Sequence, residues 1–401
     1  SASKTSTATD DSPAVSSYSA SSPPVTVLVG PFEHHSNILP WRESGAYIVR
    51  IAEHPRTGLV DLDDLRAHLQ AAQRNPATTL VIGAFAAASN VTGVLTDVDA
   101  VTALLHEHGA LAVWDYATAG PYVPIDMNPP SIVNGKVTPV SLAKDAVVFS
   151  PHKFLGGVNT PGVLVVKKSL CRNPVPQEPG GGTVFFVTKD AHRFLSNRAE
   201  REEGGTPDIV GTVRAGLALQ LKTTVGARNI LEEELRVARR CSARLRGMPN
   251  LAVLGPRCGD GGGAGGTAAA TRLPIFSFLV RATGCGAPHG AQKFLHYNFV
   301  TRLLNDVFGV QARGGCACAG PYAQDLLGMT REMAGDDETT FVDAFERALL
   351  GKNELLRPGF TRISFPWVMT EEEVEYVCSA VEAVAADGWR MLPQYRYDHE
   401  T

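Results

Sequence analysis

From residue 25 onward, short apolar runs alternate with amphipathic stretches. Residues 25–29, 46–51, 79–85, 111–115, 146–150 and 162–167 are β-branched or apolar and bounded by Gly, Pro or Asn, which predicts short buried strands. Between them, Leu62, Leu65 and Leu69 share a face within residues 61–73, and Val98, Val101, Leu104 and Leu105 do so before Gly109, which predicts helices. Strand–helix–strand alternation of this kind predicts a mostly parallel α/β sheet covered on both faces. Residues 208–248 read as helical, with Glu232, Glu233 and Glu234 followed by arginines. A Gly/Ala-rich loop at 258–270 then separates two apolar strands, 251–254 and 275–280. A helix at 291–308, a strand near Val310, a Gly/Cys turn, a long polar insert, a strand at 361–365 and a helix at 371–385 follow. The expected division is a Ser-rich tract (1–24), a large domain (25–220) and a smaller α+β domain (221–401).

Composition narrows the class without naming it. The chain has 401 residues, 37 Lys plus Arg against 41 Asp plus Glu, and a net charge of −4. No basic excess is present to displace phosphate counterions, so a nucleic-acid partner is not expected. No apolar run is long enough to span a bilayer, so no membrane partner is expected either. Seven cysteines, an odd number, argue against a disulfide framework and for a reducing, intracellular compartment, cytoplasmic or an organellar matrix. Nine of the first 24 residues are Ser, a composition too polar to offset its ordering entropy, and this tract is expected to be disordered.

The most specific chemistry sits in Val147-Val-Phe-Ser-Pro-His-Lys153, followed by the Gly156-Gly157 turn. A lysine at the end of a buried strand, beside Ser150 and His152, is partly desolvated and suits a Schiff base with an aldehyde. Another strand ends on a carboxylate, Trp114-Asp115. Pyridoxal phosphate uses such a pair: a lysine for the aldehyde and an acid to keep the pyridine nitrogen protonated. The stretch Phe32-Glu-His34-His35-Ser-Asn-Ile-Leu-Pro40-Trp41 adds an imidazole that can stack on a pyridine ring. A metal pair is disfavoured there, because adjacent side chains on extended backbone point to opposite faces. Asn90, after the third strand, reads either as a turn residue or as a hydrogen-bond donor to a phenolic oxygen.

Glu33-His-His-Ser-Asn-Ile-Leu-Pro-Trp41, Ser89-Asn90, Trp114-Asp-Tyr-Ala-Thr118, Ser150-Pro-His-Lys153, Glu203-Gly-Gly-Thr-Pro207 and Thr361-Arg-Ile-Ser364 occur in one order. Together they resemble the class V aminotransferase family of fold-type I pyridoxal-phosphate enzymes, and within it the cysteine desulfurase/selenocysteine lyase branch. The resemblance implies a seven-stranded type of sheet and a smaller C-terminal domain. It makes Lys153 the Schiff-base lysine, Asp115 the partner of the pyridine nitrogen and His34 the ring-stacking residue. Asn90 and Thr118 would stand at the ring oxygen, and Ser150 and His152 at the phosphate. Thr206 resembles the residue that such homodimers donate to the neighbouring subunit's phosphate site. Arg362, with Arg313 nearby, resembles the guanidinium that grips the substrate carboxylate through two parallel hydrogen bonds.

Gln311-Ala-Arg-Gly-Gly-Cys316-Ala-Cys318-Ala-Gly-Pro321 lies where the branch carries its nucleophile loop. The resemblance places Cys318 at the persulfide-forming position, with Arg313 as a nearby cation. The other readings of Cys316 and Cys318 are a metal clip, for which no third ligand lies close in sequence, or two small residues in a tight turn. The chain departs from the branch at Cys316-Ala317, where histidines are common, at Thr118, where a glutamine is common, and in an acidic insert around 336–338.

The resemblance also implies a phosphate-binding loop upstream of the Glu-His-His strand. No substitute precedes residue 25, so the sequence reads as the downstream part of a longer protein, with weakened cofactor binding and a compromised dimer expected of this span. The leading expectation is C–S cleavage of L-cysteine, with a small amino acid as substrate and a sulfur-acceptor protein as a further partner. Transamination or a related lyase reaction on the same cofactor is the second, and a non-catalytic dimeric descendant the third.

Overall fold

A computed structural model describes residues 25–133, 135–256, 271–282, 292–329 and 341–398. The Ser-rich tract, the Gly/Ala-rich loop and the acidic insert lie outside the described residues. The first half of the chain supplies β1 (Val25–Val29), β2 (Tyr47–Arg50), β3 (Leu80–Ala86) and β4 (Leu111–Asp115). A small hairpin of β5 (Ile132–Val133) and β6 (Lys136–Val137) follows, then β7 (Ala146–Phe149) and β8 (Val163–Val166). These build a sheet of order β2-β1-β3-β4-β7-β8, six strands among the described residues. Neighbours from β2 to β7 run parallel, and β8 closes the edge antiparallel to β7.

Two helices pack on one face of the middle strands, while Val27, Val29 and Ala84 on the opposite face form a separate cluster with Trp41, Ile48 and Ile82. Leu65 and Leu69 on the helix Leu62–Arg74, and Val101 and Leu105 on the helix Val98–Glu107, pack with Phe85 and Trp114 in one core. Full burial of each such side chain stabilises the fold by roughly 1.5–3 kcal/mol. Both helices start on aspartates: Asp61 accepts from the N–H groups of Asp63 and Asp64, and Asp97 from that of Ala100.

The hairpin β9 (Val184–Val187) and β10 (His192–Phe194) stands outside the main sheet. Further on, β11 (Leu251–Val253), β12 (Ile275–Val280), β13 (Arg313–Gly315) and β14 (Phe360–Ser364) form an antiparallel sheet of order β11-β12-β14-β13. Its core gathers Phe276, Phe278, Leu303, Phe365 and Val381. The expected helix over 208–248 is two helices, Ile209–Val225 and Ala227–Gly247, which meet at Gly226. Gly226 takes φ +92°, a backbone state open to glycine and costly for other residues, so the helical ladder stops there. Ala218 of the first helix joins the core of the parallel sheet, whereas Val237, Cys241 and Leu245 of the second join that of the antiparallel sheet. The strand expected near Val310 begins at Arg313, and the final helix runs Glu371–Asp387 from a Thr370/Glu373 capping box. No helix among the described residues is long and apolar enough to cross a membrane.

Candidate active site

Four parallel strands discharge their next residues into one place. The chain leaving β1 carries His34, that leaving β3 carries Asn90, β4 ends on Asp115, and β7 leads into the single turn Pro151–Lys153. Ligands of open parallel sheets bind outside the carboxyl ends of the strands, and a cavity of about 590 Å³ lies there. His34, Asn90, Asp115, Thr118, Ser150, His152, Lys153, Arg313 and Arg362 all line it. The sequence-derived set therefore converges, with two residues apart from it. Cys318 does not line the cavity; the neighbouring Ala317 does, and Cys318 touches the lining residue Arg313. Thr206 is exposed, in the segment before the helix Ile209–Val225.

The electrostatics follow from burial. Asp115 is 8% exposed; desolvation raises its carboxyl, while the Ala117 N–H, donating to Oδ1 at 2.7 Å, and Lys153 pull the other way. Desolvation lowers the Lys153 amine, opposed by Asp115 and aided by Arg362 and Arg313. His34 is lowered to about 4 by burial and then by Lys153, His35, Arg313 and Arg362, so it is neutral at pH 7. Its Nδ1 accepts the Ser36 N–H at 3.1 Å, which leaves the proton on Nε2. Arg313 and Arg362 are cross-strand partners on β13 and β14. Like charges set opposite each other destabilise a sheet, so a pair facing a cavity calls for an anion between or beside them. Burial and Arg313 both lower Arg362, whose Nη1 donates to the Asn90 carbonyl at 2.8 Å.

The loop that carries Cys316 and Cys318 is pinned to the β1 end of the site. The His35 N–H donates to the Cys318 carbonyl at 2.8 Å, and His35 Nε2 accepts the Gly320 N–H at 2.8 Å. Asn90 Nδ2 donates to the Ala317 carbonyl at 2.7 Å, and Arg313 Nη2 to Cys318 Sγ at 3.3 Å. Ala317 and Cys318 both hold left-handed backbone, φ +52° and +56°. Such strain costs about 1–3 kcal/mol per residue and persists where surrounding contacts over-determine it. The two histidines divide the work: His34 faces the cavity and His35 straps the loop.

Three features escape sequence reasoning. Glu33 is 2% exposed and lies behind Asp115: its Oε1 accepts the N–H of Ala86, the residue registered opposite Asp115, and its Oε2 accepts from Asn37 Nδ2 at 2.6 Å. Burial pushes its carboxyl up to about 8. Tyr122, which lines the cavity, is pushed up to about 12 by burial. The strap role of His35 is the third. The available signals were Glu33 inside the apolar start of the His-His motif and Tyr122 after a Gly-Pro turn.

The donor set fits pyridoxal phosphate on what the structure itself shows. One cavity brings together a buried carboxyl for a pyridine nitrogen, an amine for an aldehyde, a flat neutral imidazole, and Ser150, whose side chain caps no helix. Among the described residues no group of three His, Cys, Asp or Glu could hold a metal ion.

Comparison with known proteins agrees with that chemistry. Residues 5–262 match the sequence profile of the family described as aminotransferase class V. The cysteine desulfurase of Escherichia coli O8 is 29% identical over 298 residues, covering 74% of this chain and 62% of its own length. The chain thus spans 62% of the length of that curated relative. Among solved structures, the apo cysteine desulfurase from Thermococcus onnurineus superposes with a TM-score of 0.64 at 22% identity, over 90% of this chain and 73% of that one. An Escherichia coli cysteine desulfurase in S-sulfonic acid form gives 0.63 at 21% identity, over 93% and 73%. At these identities the likeness concerns the fold: a mostly parallel α/β sheet joined to a smaller antiparallel one.

Proposed function

The chain belongs to the class V aminotransferase family, and on that premise we propose that its cavity binds pyridoxal 5'-phosphate and serves C–S cleavage of L-cysteine, with the sulfur taken up by Cys318. The observation that carries this reading is the meeting of Asp115, Lys153, His34 and Arg362 in one cavity, with the Cys318 thiol held against Arg313 at its edge. Lys153 would hold the cofactor's aldehyde, Asp115 its ring nitrogen, and Ser150 and His152 its phosphate, while His34 would lie against the ring and Asn90 and Thr118 near its oxygen. When bound, the cofactor supplies an electron sink for charge released at the substrate Cα.

The protein's own groups do the rest. Lys153, lowered by burial, gives up its own proton more readily than an exposed amine does and so stands unprotonated more often, ready to take one from substrate. Asp115, raised by burial, is better satisfied sharing a proton with a ring nitrogen than standing as an isolated anion. Arg362 and Arg313 would grip the substrate carboxylate, which relieves their mutual repulsion. The Cys318 thiolate would take the substrate sulfur as a persulfide, and the carbon skeleton would leave as alanine.

A homodimer is part of this reading. Val210, Val213, Leu217 and Leu221 form an exposed apolar stripe on the helix Ile209–Val225, and Phe185 and Phe186 on the β9–β10 hairpin are also exposed. Thr206, exposed three residues before that helix, would serve the neighbour's phosphate site in such a dimer. A second reading, transamination with Cys318 a bystander, draws on one observation: Ala317, not Cys318, forms the cavity wall.

The test is an absorbance spectrum of the protein with pyridoxal phosphate, before and after L-cysteine, with alanine and sulfide measured. A yellow lysine-bound band that Lys153→Ala removes, and sulfide release that Cys318→Ala abolishes, are expected. Pyridoxamine phosphate accumulating with an amino acid alone would favour transamination. Failure of the wild-type protein to develop any band would sink both.

A further inference from the structure

Cys316 has no part in the reaction described, yet its surroundings are built with care. It is a free, half-buried thiol that lines a second cavity of about 560 Å³, walled by Ala323, Met329, Phe345, Leu349 and Arg357. Cys318 instead meets Arg313, at the edge of the cavity that Lys153 lines. On extended backbone, residues two apart share a face. The left-handed pair Ala317 and Cys318 breaks that rule and lets one short loop serve two cavities. The loop is held there by His35, by Asn90 and by the Ala319 N–H bonded to the Cys316 carbonyl at 3.1 Å. Residues two apart lie within about 7 Å at Cα, and two sulfurs at that spacing meet when the loop turns their side chains toward each other.

We propose that Cys316 is a second sulfur-carrying station, which takes the outer sulfur from a Cys318 persulfide and presents it in that second cavity to an incoming thiol acceptor. The Cys316 thiolate attacks the outer sulfur; the new bond joins that sulfur to Cys316 Sγ, and the bond to Cys318 Sγ breaks. Cys318 departs as a thiolate beside Arg313, the proton lost by Cys316 balances the charge it regains, and the transferred sulfur keeps its oxidation level, so no oxidant or reductant is consumed. The cysteine-cleavage reading supplies the origin of the sulfur; the transfer itself rests on the loop.

The full chain with pyridoxal phosphate and L-cysteine, alkylated after increasing times and digested, tests this through fragment mass spectrometry that separates the two cysteines. The expected result is persulfide on Cys318 first and on Cys316 later, persulfide retained on Cys318 in both Cys316→Ser and Cys316→Ala, and none on either residue in Cys318→Ser. Persulfide confined to Cys318 in the wild-type chain, or present on Cys316 in Cys318→Ser, would overturn the relay. A parallel arm loads the cofactor-free chain with a brief pulse of inorganic polysulfide and follows the label after its removal. Label that leaves Cys318 as it appears on Cys316 sustains the relay even if L-cysteine yields no alanine, an outcome that would refute only the cleavage reading. Label that stays fixed on Cys318 counts against the relay whatever L-cysteine does.

Discussion

Glu33 and Glu234 are carboxyls in the wrong solvent. Both are nearly inaccessible, and burial pushes each up to about 8, although Glu33 accepts the Ala86 N–H and Glu234 the Trp367 N–H at 2.7 Å. Their folded values lie above the ordinary value of about 4.5, so the folded state binds more protons than the unfolded one between the two. The stability they contribute is complete below about 4.5 and is lost as pH rises through about 8. Thermal melts should therefore show the midpoint falling from about pH 5 to about pH 8, at up to about 1.4 kcal/mol per pH unit for each group. Glu234→Gln keeps an oxygen for Trp367 and should flatten that slope; a slope unchanged by the substitution would refute the assignment. His34 works in the other direction. Lowered to about 4, it contributes stability above its ordinary 6.5 that is lost as pH falls through about 4. Stability should thus sag at both ends of the range.

The loop of Ala317 and Cys318 shows what an element adds to its residues. Its two left-handed residues cost about 1–3 kcal/mol each, and the hydrogen bonds that offset them are worth about 1 kcal/mol apiece. His35→Ala removes the acceptor of the Gly320 N–H. It should destabilise the protein by roughly 1–3 kcal/mol and slow alanine formation, while the cofactor absorbance stays as in the wild type. Equal losses in binding and turnover would mean that His35 holds the cofactor site, not the loop. Ala317→Gly relaxes the strain and should raise stability by between about 0 and 1 kcal/mol, yet slow sulfur uptake by the same assay. The strands and their terminal residues were legible in the sequence, because Asp115 and Lys153 follow apolar runs whose length and flanks mark buried strands. The strap was not: His35 and Gly320 are remote in sequence, and no local pattern encodes their meeting. Nor was the break at Gly226, since amphipathic patterning continues on both sides of it and an isolated glycine is tolerated inside many helices. Asn90 stood between two readings, and its amide bonded to Ala317 gives it a third.

At the scale of the whole molecule, the cavity is a joint product of two sheets. The parallel sheet brings the amine, the carboxyl and the imidazole; the antiparallel sheet brings Arg313 and Arg362. The exposed stripe on the helix Ile209–Val225 belongs to this scale as well. Val213→Asp with Leu217→Asp should shift the protein from dimer to monomer in light scattering, and Thr206→Ala should weaken pyridoxal phosphate binding in the dimer. A wild-type chain that is monomeric at micromolar concentration would refute the dimer. The division between sheets also sets a schedule for synthesis. At about 5–20 residues per second, roughly 10–40 s pass between the emergence of Lys153 and that of Arg362 from the ribosome. For most of that interval neither Arg313 nor Arg362 has emerged to stand beside the amine and its carboxyl partner. On the proposed function, the order of translation would make the aldehyde-binding half of the cavity before the carboxylate-binding half.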